Sequence, residues 1–415
     1  MTAANRPPGP SGPAPDALAP ARLGPVRLRN RVIKAATFEG LTPDALVTDG
    51  LIEYHRRPAA GGVAMSTVAY CAVAPEGRTQ RAQLWMRDDV LPGLRRLTAA
   101  VHGEGAAVSL QLGHAGPVAD ARSNRLPSLS PTGGFNPVSL RRDRAATAED
   151  LDRVVRAHAS AARLAVAAGA DAVELHLGHN YLASAFLSPR LNRRTDGYGG
   201  PLRNRARLAL ALARAVREEV GDRIAITAKL NMTDGVRGGL SPDDSLQVAR
   251  WLEEEGSVDA LALTAGSSLL NPMYLFRGDA PLKEFAARFP LPQRLGLRTV
   301  GRSFLRAYPY EPLYLLEEAR SFREALALPL ILLGGVTDRE GMDRAMAEGF
   351  EFVAMARALL REPDLVRRLG DAPETRSLCI HCNRCMPTIY TGTHCPVLGP
   401  GPAHDPAPGP GRPAR

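Results

Sequence analysis

Asp171-Ala-Val-Glu-Leu-His-Leu-Gly-His-Asn-Tyr181 decides how the rest of the chain is read. Its first five residues, Asp171 to Leu175, are mostly apolar and compact, as a strand buried on both faces is. His176, His179 and Tyr181 follow at once, each able to donate a hydrogen bond. A buried strand that ends in convergent donors is scaffold running into chemistry. Such donors can grip one carbonyl or phenolate oxygen, and the tyrosine can also deliver a proton.

Seven further short apolar runs resemble this strand: Val32–Ala36, Val63–Ala69, Ala106–Leu112, Ile224–Leu230, Ala260–Thr264, Leu328–Leu333 and Phe352–Met355. Between them the spacing predicts helices over Asp89–Glu104, Ala148–Ala168, Leu202–Val220, Pro242–Glu255, Pro312–Ala327, Asp338–Glu348 and Ala358–Leu369. Ser241-Pro242 is a strong helix start, a capping hydroxyl before a proline at the first helical position. Eight strands alternating with helices predict an α/β fold, a (β/α)8 TIM barrel. No G-x-G-x-x-G follows an early strand, which excludes the dinucleotide fingerprint of a doubly wound sheet. Two connections are long, Pro117–Thr147 after strand three and Gly266–Tyr310 after strand six. Both leave strand C-termini, the face where barrels carry their sites.

The organisation expected is a Pro/Gly-rich disordered tail (1–20), a barrel (21–370), a cysteine-rich segment (371–397) and a second disordered tail (398–415). The chain has 415 residues, 45% of them hydrophobic, ample for one barrel core. Its net charge of +9 comes largely from scattered arginines, without the clustered basic stripe and interleaved aromatics that nucleic acid requires. No run reaches the roughly 18 apolar residues of a membrane span. The N-terminus lacks the charged-then-apolar order of a secretory signal, so a cytoplasmic location is expected. Expected partners are a small unsaturated substrate, neither nucleic acid nor membrane, with a homo-oligomer left open.

On a barrel, functional residues sit where strands end. Strand one runs into Ala35-Ala36-Thr37, small enough for the backbone to approach a flat ligand. Strand two ends at Tyr70-Cys71; Tyr70 is placed to line that ligand's edge, and Cys71 reads as a small buried hydrophobe. Strand three ends in Gln111, whose amide donates and accepts. Lys229 lies inside the apolar run of strand five, which argues against an ordinary surface charge. Strand seven ends in Gly334-Gly335 and strand eight in Ala356-Arg357. A diglycine exposing N–H groups, beside an arginine after strand eight, outlines a phosphate cradle. Phosphate, glutamine and lysine together describe a flavin mononucleotide (FMN) site. The pair His176 and His179 could instead begin a metal site, but zinc needs at least a third ligand and none is obvious nearby.

Several motifs carry a family resemblance from about Leu23 to Leu369. They are Leu28-Arg-Asn-Arg31, Pro75-Glu-Gly-Arg78, Gln111-Leu-Gly-His-Ala-Gly116, His176-x-x-His179-x-Tyr181, Phe186-Leu-Ser-Pro189, Asn192, Arg194-Thr-Asp196 and Tyr198-Gly-Gly200. In these the chain resembles the old yellow enzyme family of FMN-dependent ene-reductases. The resemblance implies FMN, reduced by NADH or NADPH, and reduction of activated C=C bonds. It implies that His176 and His179 hold the substrate's electron-withdrawing oxygen and that Tyr181 donates the proton. It also implies flavin contacts from Gln111, Lys229, Gly335 and Arg357, with Thr37 and its neighbours near the ring. Lys229 stands where many relatives carry arginine, which keeps the charge and loses the bidentate fork.

Four of the five cysteines close the sequence: Cys379, Cys382, Cys385 and Cys395. This is metal-type spacing. It is similar to the cluster-binding run of the dienoyl-CoA reductase and trimethylamine dehydrogenase branch, but the spacing to its third cysteine is two residues rather than three and its last gap is shorter. Spacing alone does not identify the metal, so a [4Fe–4S] cluster, a structural zinc and free thiols all stay open. An iron–sulfur flavoprotein of that branch and a flavin electron-transfer protein are the alternative readings of function.

Overall fold

A computed structural model describes residues 14–398, apart from 137–138, 290, 292–293, 296–300 and 302. Among the described residues, eight barrel strands alternate with eight main helices. The strands are β1 (Val32–Lys34), β2 (Met65–Ala72), β3 (Ala107–Gly113), β4 (Ala172–Leu177), β5 (Ala225–Asn231), β6 (Ala260–Thr264), β7 (Leu330–Leu333) and β8 (Phe352–Met355). They form one closed parallel barrel, sealed where Val353 to Met355 of β8 pair with Val32 to Lys34 of β1. Each predicted apolar run became a barrel strand. The first run ends earlier than expected, at Lys34, leaving Ala35 to Thr37 as the loop beyond it.

The period-two alternation of a strand sorts side chains into two cores. Ile33, Met65, Ala172, Ala225, Ala260, Ala262, Ile331, Phe352 and Ala354 fill the barrel interior. Alternate residues such as Val32, Val68, Val173, Leu175, Leu261 and Val353 pack outward under the helices. A hairpin of Ala21–Leu23 and Val26–Leu28 adds Leu23 and Leu28 to the interior cluster and plugs that end.

The helices are α1 (Asp49–Ala60), α2 (Leu91–His102), α3 (Ala148–Ala167), α4 (Leu202–Val220), α5 (Pro242–Glu254), α6 (Leu316–Ala325), α7 (Arg339–Ala347) and α8 (Leu365–Asp371). Helix α1 departs from the sequence reading, which placed none between strands one and two. Pro58 in its last turn obscured the pattern, although Thr48 caps it by accepting the Leu51 N–H at 3.1 Å. The helix predicted over Ala358–Leu369 is broken into Arg357–Arg361 and α8. Pro363 in the break cannot continue a helix and disfavours helical backbone at Glu362. Helix α6 starts at Leu316, four residues after Pro312.

The tail expected over 1–20 needs correction in its described part. Ala17 is fully buried, its carbonyl accepts the Arg31 N–H at 2.9 Å, and Asp16 pairs with Arg339 at 2.8 Å. Residues 1–13 and 399–415 lie outside the described residues.

Above the C-terminal rim, the connection after β3 forms a three-stranded sheet with Arg141–Ala145 at its centre. Arg194 ties the loop after β4 to it, donating to Pro131 and Ala146 carbonyls at 2.8 Å each. The cysteine segment lies across the loops after β1 and β6. Thr393 N–H donates to Glu39 O at 2.7 Å, and Asn383 Nδ2 to Asp279 O at 2.9 Å. Glycine permits this contact: a Cβ on Gly40 would stand 2.2 Å from Ile389 O, and one on Gly278 2.1 Å from His381 O.

Phe352 is 1% exposed inside the barrel. Phe352→Ala is expected to cost about 3–5 kcal/mol through lost burial and an unfilled cavity. Urea denaturation measures it; a loss below about 1 kcal/mol would contradict the packing.

Candidate active site

Three strand ends meet over one carboxylate. Glu174 of β4 faces the barrel interior, where its Oε1 accepts from Gln111 Nε2 of β3 at 2.7 Å and from Lys229 Nζ of β5 at 2.9 Å. All three side chains are buried. A lone charge there would be prohibitively desolvated, so the ammonium and carboxylate enter as a pair. The sequence reading assigned Gln111 and Lys229 and missed Glu174. Its signal was present, a carboxylate at the middle of a buried strand.

One interior step further along β4 stands His176. Its ring is 5.1 Å from that of His179 and 4.2 Å from Tyr181, whose ring is 5.2 Å from Tyr70 (centroid distances). The predicted trio therefore does converge, with Tyr70 beside it. Tyr70 is held by its hydroxyl donating to Gly77 O, and Gly113 at the end of β3 leaves room for both Tyr70 and His176. His179 and Asn180 both adopt left-handed backbone, with φ of 58°. That turn is paid for by polar anchors: Asn231 Oδ1 accepts the His179 N–H at 3.1 Å, and Asn180 Nδ2 donates to Asp234 at 3.0 Å. His179 Nε2 lies 2.9 Å from Thr264 Oγ1 of β6. His176 Nδ1 is buried without a hydrogen-bond partner among the described residues.

Burial sets the protonation of this cluster. It lowers both imidazoles, helped by the Lys229 cation; His176 falls well below the usual value and His179 to about 3. Burial also raises the Tyr181 phenol. The histidines are thus neutral donor–acceptors and the tyrosine is a protonated acid across the physiological range.

Across the mouth, Gly334 and Gly335 have φ of 100° and 84°, and Tyr314 packs against both. Arg357 begins the short helix after β8. Its Nη1 donates to Arg277 O at 2.9 Å and to Asn383 Oδ1, tying the loop after β6 to the cysteine segment. Ala356 precedes it, and Ala35 packs in the interior cluster with Ala36 on a neighbouring one beside Tyr70 and Tyr181. Thr37 is bonded to Lys34 and Tyr54. Cys71 is fully buried and burial raises its thiol, as a packing role requires. His114 is also structural: its Nδ1 accepts the Gly116 N–H at 3.0 Å.

Cys385 is pushed up to about 12 by burial, with Cys379, Cys382 and Cys395 adding to the shift, so the four thiols lie within electrostatic range. Yet among the described residues no three Cys, His, Asp or Glu side chains gather closely enough to hold a metal ion.

An orphaned imidazole nitrogen, a buried lysine with its glutamine and carboxylate, and a left-handed diglycine across one mouth suit a flat ligand carrying an anionic tail. This is the class of flavin-binding barrel oxidoreductases. The chain belongs to the NADH:flavin oxidoreductase / NADH oxidase family, whose model matches residues 17–267, and is an old yellow enzyme homologue. Its cofactor is FMN and its reductant NADH or NADPH. It is 52% identical over 367 residues to a 4,4'-dithiodibutanoate disulfide reductase of Rhodococcus erythropolis, covering 88% of this chain and 91% of that one. It is 28% identical to a multifunctional alkene reductase/demethylase of Caballeronia cordobensis, across 88% of this chain and 51% of the relative. The chain thus spans about half the length of some curated relatives. An old yellow enzyme homologue from Zymomonas mobilis shares the fold, with a TM-score of 0.70 at 21% identity, over 89% of this chain and 96% of that one. No helix among the described residues is long and apolar enough to cross a membrane.

Four buried histidines have lowered pKa values: His55, His158, His176 and His179. Below the unfolded value near 6.5 the unfolded chain binds protons that the folded chain refuses, so stability falls as pH drops from about 6.5. Melts at pH 7.5, 6.5 and 5.5 should show a melting temperature that declines over the last step. An unchanged value at pH 5.5 would contradict the neutral cluster.

Proposed function

We propose that this oxidoreductase reduces small molecules bearing an activated C=C bond, an α,β-unsaturated carbonyl or similar, with Tyr181 as the proton donor. The observation that carries the reading is a protonated phenol, Tyr181, packed on the neutral imidazole of His176, which in turn packs on that of His179. Bound FMN supplies the hydride, received from NADH or NADPH. Gln111 and Lys229 would meet the edge of its ring, with Ala35, Ala36, Thr37 and Tyr70 around it. Gly334, Gly335, Ala356 and Arg357 would hold its phosphate. His176 and His179 direct N–H groups at the acceptor's oxygen, where negative charge develops; preorganised donors of this kind contribute about 2.7–4 kcal/mol each. Neutral imidazoles do this without surrendering a proton, which leaves protonation of carbon to Tyr181.

The relative from Rhodococcus erythropolis favours a second reading, reduction of an acidic organic disulfide. Here two electrons and one proton turn the disulfide into one thiol and one thiolate. Acid strength separates the two readings. A phenol raised above its usual pKa of about 10 can protonate a carbanion-like carbon, whereas a thiolate of pKa about 8.5 is too weak a base to need it.

Tyr181→Phe is therefore the decisive variant. Turnover of 2-cyclohexenone with NADPH or NADH is expected to fall about 10²–10⁴-fold, with flavin reduction by the nicotinamide retained. Turnover of 4,4'-dithiodibutanoate should change less than about tenfold. Alkene turnover that survives the substitution would remove Tyr181 from the reaction. A wild-type chain that reduces only the disulfide would decide for the second reading.

A further inference from the structure

Among the residues around the proposed flavin ring, Thr37 is gripped from behind. The Lys34 ammonium donates to its Oγ1 at 3.1 Å, and the Tyr54 hydroxyl of α1 lies 3.2 Å from the same oxygen. Lys34 is buried, donates also to Thr67 O at 3.3 Å and sits 4.8 Å over the Tyr54 ring. No sequence motif marked either residue.

Counting protons fixes the direction of these bonds. A threonine hydroxyl has one proton and two lone pairs. Lys34 can only donate, so it fills one lone pair. Burial keeps the proton on Tyr54, and among the described residues Thr37 is its one hydrogen-bond partner. If Thr37 donated to Tyr54, the phenol proton would have no protein acceptor. The arrangement that satisfies both has Tyr54 donating too. Both lone pairs of Thr37 are then filled, and its own proton is left to point away from Lys34 and Tyr54.

We propose that Lys34 and Tyr54 are positioning residues that fix Thr37 as a hydrogen-bond donor into the barrel mouth. Through that hydroxyl the buried ammonium acts on the electron density of bound FMN. Burial raises the Glu39 carboxyl, away from its charged form, and lowers the Lys34 ammonium. Donation from an ammonium polarises the Thr37 O–H and strengthens the bond it makes in turn. The inference rests on FMN seating over Thr37, as proposed above.

The test uses the FMN holoenzyme with Thr37→Ala, Lys34→Met and the double variant. FMN affinity is read by fluorescence titration and the flavin midpoint potential by reductive titration against a redox dye. Each single variant should lower the potential, since each removes a donor that favours the reduced ring. The double variant should sit no lower than Thr37→Ala alone, because Lys34 acts through Thr37. Shifts that add in full, or an unchanged potential in Lys34→Met with FMN still bound, would overturn the relay and leave the cofactor site standing. Should Lys34→Met fail to fold, Tyr54→Phe decides. A lowered potential beside Thr37 and none in the Thr37→Ala background supports the relay; equal shifts in both overturn it. A wild-type chain that does not take up FMN would overturn seating and relay together.

Discussion

Burying a carboxylate inside a barrel obliges the neighbouring strands to answer it, and Glu174 is answered from both sides. Gln111 of β3 and Lys229 of β5 donate to the same oxygen. Removing one partner of such a buried pair typically costs about 3–5 kcal/mol, which locks the relative height of three strands. The rim above inherits that alignment. His176 is the next interior residue on β4, paired in register with Lys229, and the turn carrying His179 and Tyr181 follows it. The position of the donors thus depends on an ion pair that touches none of them directly.

Dehydration does the remaining electrostatic work. The same burial that lowers His176 and His179 raises Tyr181, producing two neutral donors and one retained acid from side chains that in water would titrate quite differently. Two buried lysines, Lys34 and Lys229, stand near this mouth. Lys229 is matched by Glu174, whereas Lys34 donates to the Thr37 hydroxyl and the Thr67 carbonyl. One cation is therefore held by a carboxylate and the other by two uncharged oxygens. A third buried polar group, His55, joins Glu39 at 3.1 Å to Ser66 at 2.8 Å, but Ser66 and His55 have no exposure. That serine–histidine–carboxyl order is sealed packing under α1.

How much of this could be read from residues alone differs by element. The eight strands were legible because parallel barrel strands are buried on both faces and read as short apolar runs between turn residues. Helix α1 was not, because Pro58 interrupts its pattern while the surrounding structure tolerates it in the last turn. The trio His176, His179 and Tyr181 was legible from its place at a strand end. Glu174 left a signal as a carboxylate inside a buried strand, but its partners Gln111 and Lys229 are distant in sequence, and the meeting of Lys34 and Tyr54 at Thr37 was not legible. Arg357 was legible as a rim cation; that its Nη1 bonds the loop after β6 and Asn383 was not.

Periodicity, composition and motif order by themselves determined the barrel, the rim where its strands end and the chemistry of the side chains on it, because each is a property of local spacing. Tertiary structure alone decided protonation, hydrogen-bond direction and which charges are cancelled. Those depend on the distance between residues such as Lys34 and Tyr54, or Glu174 and Lys229, and on how much water the packed chain excludes around them.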